Sequence, residues 1–347
     1  MRNTFFLSAI SLAFLFLITP VFAQTSPSSQ TGTFNFSTNY SALTSNVGKG
    51  GASLTVNPQY PAPGDTVSFS LQDFQDNLNL ATITWTINGK TVSSGQGNSE
   101  FQTTAGPAGS SQVVQATITT QNGTTITKSV TISPASVDLL WQAHSYVPPF
   151  YKGKALFPLE GVVTVVAFPS FALNNPSSAV YSWKIGGQAR PDISGPGKDT
   201  ITLTGSILLQ PIDVEVTVTS QDGSVTAQNN MSLTGTSPVV ALYEDSPLYG
   251  LLFNESLGTT ITLNGQTGLT VEPYFVDSTA PYTNTADFQW SMNNQTISGQ
   301  NSQTLNVSPP AGQTGNTSVS VTATSNTTPI QTGSANISVN FGNNNNG

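Results

Sequence analysis

The chain has 347 residues, of which 37% are hydrophobic and only 7% charged, with a formal net charge of −8, one histidine and no cysteine. Ordinary globular proteins carry about 25% charged residues; here Ser, Thr, Asn and Gln take over the solvating role, as they do in extracellular β proteins. The missing cysteines exclude disulfides, thiolate metal sites, cysteine nucleophiles and a lipid-modified N-terminus, and with no Lys or Arg after Lys198 nothing grips phosphates, so nucleic acid and anionic membranes are not expected partners.

Residues 1–23 read as a signal peptide: basic Arg2, an apolar run from Phe5 to Ile18, the break at Thr19-Pro20, and Val21-Phe22-Ala23 as the cleavage pattern. The run is shorter than the ~20 residues a membrane span needs, so cleavage after Ala23 and secretion are expected, with no membrane span remaining. Loss of Arg2 leaves 17 acidic and 8 basic residues, net −9. Residues 24–51 are rich in Ser, Thr, Gly and Asn and read as a flexible linker with a short strand at Thr33-Phe34-Asn35-Phe36.

A first domain spans 52–134. Ser53 to Val56 opens it, the turn Pro61-Ala62-Pro63-Gly64-Asp65 follows, and Val67, Phe69 and Leu71 alternate in the next strand. Ile83-Thr84-Trp85-Thr86-Ile87 runs into Asn88-Gly89, and the closing hairpin turns at Asn122-Gly123. A second domain, 135–235, opens with Val137 to Trp141 and carries a long loop from Gln142 to Glu160. Tyr181-Ser182-Trp183-Lys184-Ile185 then meets Gly186-Gly187, and a hairpin turns at Asp222-Gly223. A third, 236–341, lies over the second: Val239 to Tyr243 matches the opening strand and Ser246 to Phe253 the front loop. Val271 to Phe275 matches Val165 to Pro169, and Phe288-Gln289-Trp290-Ser291-Met292 runs into Asn293-Asn294. Residues 342–347 form a polar tail.

Trp85, Trp183 and Trp290 stand 98 and 107 residues apart. One such aromatic per ~100 residues, each on a strand ending in a positive-φ turn, predicts an all-β chain of three tandem immunoglobulin-like β-sandwiches. The Pro-x-Pro-Gly-Asp turn at 61–65 and the tryptophan strand with its turn resemble cysteine-free bacterial immunoglobulin-like and PKD-like repeats. The second and third domains, through Ser145-Tyr146-Val147-Pro148-Pro149-Phe150-Tyr151-Lys152-Gly153-Lys154-Ala155 and the echo at Pro247-Leu248-Tyr249-Gly250, resemble secreted proteins of small-genome candidate-phyla bacteria.

Chemistry-bearing motifs are sparse. A catalytic triad would have to use His144, the only histidine, for which no nucleophile or orienting acid can be named. The close carboxylate pairs are Asp73 with Asp76, Asp213 with Glu215, and Glu244 with Asp245. The last pair ends a strand at an expected domain junction, where calcium is the one metal to consider; no other cofactor is expected. Phosphate-loop, zinc-protease and nucleophile-elbow patterns are missing. Tyr146, Phe150 and Tyr151, with Tyr249 and Phe253, are the candidate ligand contacts, because stacked aromatics hold sugar rings or a protein partner. The alternative is that these rings fold back and plug the end of their own sandwich. The sequence thus points to a secreted or cell-surface structural or adhesive rod without catalysis, meeting a cell-surface protein or glycan. The second function considered is a carbohydrate- or peptide-binding module.

Overall fold

The computed structural model describes residues 51–342, apart from 173–174, 279–282 and 311–312. The expected signal peptide, the strand at 33–36, all but the last residue of the linker and the tail from 343 lie outside the described residues.

In the first domain β1 (Ser53–Asn57), β2 (Thr66–Gln72), β3 (Thr82–Ile87), β4 (Lys90–Gln96), β5 (Glu100–Thr104), β6 (Gln112–Thr119) and β7 (Thr125–Ile132) make two antiparallel sheets, ordered β1-β2-β5 and β4-β3-β6-β7. The second domain repeats this with β8 (Val137–Tyr146), β9 (Val162–Pro169), β10 (Val180–Ile185), β11 (Gln188–Ala189), β12 (Gly195–Pro196), β13 (Thr200–Thr204), β14 (Ile212–Thr219) and β15 (Thr226–Leu233). Its sheets run β13-β9-β8 and β11-β10-β14-β15, with β12 also on β10. The third holds β16 (Val239–Ser246), β17 (Gly250–Leu251), β18 (Thr260–Leu263), β19 (Thr267–Tyr274), β20 (Val276–Asp277), β21 (Ala286–Met292), β22 (Gln295–Thr296), β23 (Thr304–Val307), β24 (Gly315–Ser325) and β25 (Thr332–Phe341). Its sheets run β17-β16-β19-β23 and β18-β25-β24-β21-β22, with β18 parallel to β25. β20 leaves its own domain and pairs with β8.

Period-2 alternation builds each sandwich. In β2 the side chains of Val67, Phe69 and Leu71 turn inward and Ser68 and Ser70 between them turn out. Three separate cores result, one per domain, each containing its tryptophan. The three indoles are equivalent: Trp85, Trp183 and Trp290 are 0–1% exposed. Their Nε1–H groups donate to the carbonyls of Asn98 (2.9 Å), Lys198 (2.8 Å) and Ser302 (2.8 Å). Each of those carbonyls lies two residues before the strand that enters the opposite sheet: β5, β13 or β23. The buried polar edge of each ring is thereby satisfied.

The turns after the tryptophan strands have the expected geometry. Asn88 and Gly89, Gly186 and Gly187, and Asn293 and Asn294 all have positive φ at both central positions, the two-residue hairpin that matches strand twist. The hairpins at Asn122-Gly123 and Asp222-Gly223 differ from that expectation. Their loops are longer: Thr120 N–H donates to Thr124 O and Ser220 N–H to Val225 O, and only the glycine is left-handed. A Cβ on Gly187 would meet open space, so Gly187→Ala tests the φ of +75° alone. It should lower the stability of the second domain by about 1 kcal/mol, seen as a lower melting temperature for that domain.

Candidate functional site

The site that the fold builds is the junction of the second and third domains. β8 runs to its end at Tyr146, and the chain of the third domain comes up to meet it. Phe275, at φ +61°, breaks β19 and swings the next two residues across. A bulky residue in that region costs about 1–2 kcal/mol; the Phe275 ring is buried in the junction that holds it there. Val276 then pairs with Tyr146 and Asp277 with Ser145. Phe275 N–H donates to Tyr146 O at 2.8 Å and Ser278 N–H to His144 O at 3.2 Å. Thr236 and the 157–159 segment exchange two further backbone bonds, Thr236 N–H to Phe157 O (2.8 Å) and Leu159 N–H to Thr236 O (3.1 Å). Gln331, fully buried, closes the seam: its Oε1 accepts Asp277 N–H at 2.6 Å and its amide nitrogen donates to Leu159 O. One sheet of the second domain is thus continued by a strand of the third.

The long loop after β8 lies on the outer face of β16 and β19. Phe150 meets Tyr243 edge-on at 5.3 Å between ring centroids and stacks on Phe253 at 5.3 Å, 23° from parallel. Tyr151 meets Tyr274 at 5.4 Å and Phe275 at 5.9 Å, both edge-on. The Tyr243 and Tyr274 hydroxyls bond each other at 2.7 Å. This cover explains β19, in which all eight residues are buried: Leu269 and Val271 face the core, while Thr270, Glu272 and Tyr274 face the loop. Antiparallel sandwich strands ordinarily leave one face wet.

Among the candidate contacts, Tyr146 is 4% exposed, Phe150 and Tyr151 are half-buried within the junction, and Tyr249 and Phe253 are 76% and 58% exposed. The loop of the second domain plugs the flank of its neighbour instead of the end of its own sandwich. Tyr146 and Phe150 are therefore packing elements of the junction, while the Leu248-Tyr249 tip stands in solvent.

A carboxylate sits under this cover. Glu272 is buried and accepts the Tyr146 hydroxyl at 2.8 Å. Burial pushes its carboxyl above the usual range, with the Tyr146 hydrogen bond pulling the other way. Burial, then the Glu272 charge, pushes the Tyr146 phenol far up, and burial also raises Asp277. Sequence reasoning missed Glu272, Asp277 and Gln331. In the sequence Glu272 looks like a solvated residue on an alternating strand, and only Tyr146, 126 positions earlier at the end of β8, and the loop after it change that.

The other candidates are ordinary surface features. His144 is exposed, its Nε2 3.0 Å from the Thr164 hydroxyl. Asp277, the acid nearest in effect, is held by Val162 N–H and Thr327, so the arrangement lacks the acid–imidazole bond of a triad. Glu215 pairs with Lys184 across strands at 2.7 Å, and Asp73 Oδ1 caps the turn at Gln75 and Asp76. Glu244 accepts from Thr267 at the end of β16 remote from β20, and Asp245 pairs with Leu251 at the rim of the aromatic cover. Among the described residues, no group of three or more His, Asp or Glu is placed to hold a metal, and no helix is long and apolar enough to cross a membrane.

In each domain one sheet sets the opening strand beside the next long strand and then the strand that follows the tryptophan hairpin (β1-β2-β5, β8-β9-β13 and β16-β19-β23), and the other sheet is built on the tryptophan strand and the closing hairpin, which is the immunoglobulin-like and fibronectin-III-like sandwich plan. The chain is a tandem array of three such domains. No protein-family model matches the sequence, and no curated protein matches it. Among solved structures it is similar to the central fibronectin-III array of RIM-binding protein: 13% identity, 84% of this chain and 96% of that one, TM-score 0.29. It is also similar to the three N-terminal domains of the bacteriophage RB49 highly immunogenic outer capsid protein, at 12% identity, 84% and 98% coverage and TM-score 0.25. The fibronectin(III)-like modules of Clostridium thermocellum CbhA match at 11% identity, 53% and 94% coverage and TM-score 0.27.

Proposed function

We propose that the chain is a secreted or cell-surface structural or adhesive protein, a non-catalytic rod of immunoglobulin-like domains that holds a contact surface away from the cell. The single observation behind this is the second–third junction. A shared sheet, a buried glutamine seam and an aromatic cover fix two domains to each other, as a stiff spacer requires and an open catalytic cleft does not. The signal-peptide pattern expected at residues 1–23, the low charge and the resemblance to bacterial immunoglobulin-like and PKD-like repeats support the same reading. A membrane-impermeant biotin reagent applied to intact producing cells should label the chain, and the added soluble chain should compete with adhesion of those cells. Retention inside the cell, unlabelled, would overturn the proposal.

A second reading has one observation in its favour: Tyr249 and Phe253 are aromatic and largely exposed, as sugar-stacking rings are. It expects a glycan-array signal that Tyr249→Ala abolishes; an array blank for the unmodified chain would remove it.

A further inference from the structure

The three domains present the same sheet face in three states. In the third domain, the outer face of β16 and β19 carries Ala241, Tyr243, Glu272 and Tyr274 and is covered by the 147–155 loop. In the first, the outer face of β1 and β2 carries Ser53, Thr55, Asn57, Ser68 and Ser70, polar side chains that need no cover. In the second, the corresponding face of β8 and β9 leaves apolar side chains bare among the described residues, beside Asp138, Gln142, His144 and Thr164: Leu140, paired with Val166, is 60% exposed, and Phe168, which is paired with Asp138 and stands where the third domain has Tyr274, is 38% exposed. The first domain cannot supply the cover. Its loop between β1 and β2 holds only residues 58–65, against 147–161 in the second domain, and Pro61 is tied to Ala135 N–H at the domain link.

The covering device also exists in an unused copy. The loop after β16 begins, like the loop after β8, with proline and aromatic residues, and its tip leaves Leu248 77% and Tyr249 76% exposed. Among the described residues, therefore, each molecule has one uncovered patch with apolar side chains and one covering tip with nothing under it. The two also suit each other electrostatically. Residues 246–254 carry no charge, and on the face Leu140, Gln142, Thr164, Val166 and Phe168 carry none, with Asp138 opposite Phe168 at one end and His144 opposite Val162 at the other. Between molecules of net charge −8, or −9 once Arg2 is lost with the expected signal peptide, contact is least opposed through such patches.

We infer that the Leu248-Tyr249 tip of one molecule covers the Leu140/Val166/Phe168 face of a second copy, repeating between chains the cover that the 147–155 loop makes within one. The contact continues an arrangement already present in the fold, and it joins unlike patches, so it forms a closed pair when both molecules donate and a string when the rotation does not close.

Sedimentation of the full secreted chain over a range of concentrations tests this. The weight-average mass should rise with concentration, and more steeply as salt screens the net charge. A tip variant, Leu248→Ser with Tyr249→Ser, and a face variant, Leu140→Ser with Phe168→Ser, should each weaken association at least about tenfold. Mixing the two variants should restore association above either alone, because each supplies the half the other lacks. All four side chains are exposed, and unchanged melting temperatures establish that the variants fold. A wild-type chain that stays monomeric to about millimolar concentration, well beyond the range of a specific small interface, overturns the inference. So does either variant associating like the wild type, or a mixture that recovers nothing. Monomeric behaviour together with a tip-dependent glycan-array signal would give the tip to a sugar instead.

Discussion

Trp183→Ala is expected to remove about 3–5 kcal/mol from the second domain and to loosen the third with it. The indole is 1% exposed, it lies in a core made from both sheets, and its N–H holds Lys198 O just before β13. Alanine leaves a cavity and an unsatisfied carbonyl in the same place. Whole domains have about 5–15 kcal/mol of stability, so this loss takes a third or more of it. The consequence spreads because β8 carries β20 and the loop over β16 and β19; a second domain that opens withdraws the cover from the third. Trp85→Ala should cost as much but stay local, since the first core is separate and its domain lends no strand to a neighbour. Hydrogen exchange resolves the two cases. Trp85→Ala should raise exchange in residues 52–134 alone, whereas Trp183→Ala should raise it in β9, β10 and β14 and also in β19. Equal, confined effects of both substitutions would show that the junction transmits nothing. Trp183→Phe separates the two contributions, keeping most of the volume and losing the indole donor, for about 1–3 kcal/mol.

The tryptophan strands were legible because local rules fix them. Alternation decides which face Trp85, Trp183 and Trp290 occupy, and Asn-Gly, Gly-Gly and Asn-Asn have few conformations open to them. Features that depend on distant residues were not legible. β20 is two residues long and no periodicity marks it; it exists because Tyr146 ends a strand with free backbone groups at that point. β18 alternates as Thr260-Ile261-Thr262-Leu263, yet nothing local says that it leaves the sheet of β16 to run parallel with β25. The aromatic loop was recognised as special, but its destination was not, since Pro148, Phe150 and Tyr151 would suit the end of one sandwich as well as the flank of the next. The exposure of Leu140 and Phe168 had the same obstacle: an outward Leu on a strand is unremarkable until the two sister faces are seen, one polar and one covered.

Replacing Glu272 by Gln should flatten the pH dependence of the second–third junction and leave it at least as stable near neutral pH. Burial holds the native carboxyl above its ordinary value of 4.5, so folding takes up a proton in the window between that value and the raised one. A raised carboxylate stabilises the fold fully below 4.5, and that contribution is lost as pH rises through the folded value. The junction is therefore tighter in mild acid, contrary to the usual acid lability of paired carboxylates, and Asp277, also raised by burial, acts with the same sign. Asp222 acts oppositely: hydrogen bonds from Ser220 and Ser224 lower it to about 2. It sits on an exposed turn of every variant and cancels in the difference. Tyr146→Phe supplies the converse. It removes the hydroxyl that partly offsets burial of the carboxylate, so it should cost about 1.5–3 kcal/mol near neutral pH. It should also move the loss of stability to higher pH and recover much of the deficit on acidification. The two substitutions together should cost less than their sum, because the phenol matters mainly while the acid is charged. Urea unfolding at intervals of pH from mild acid upward through neutral reads all four proteins. If the Gln variant keeps the wild-type slope, Glu272 is not the group that couples this junction to pH.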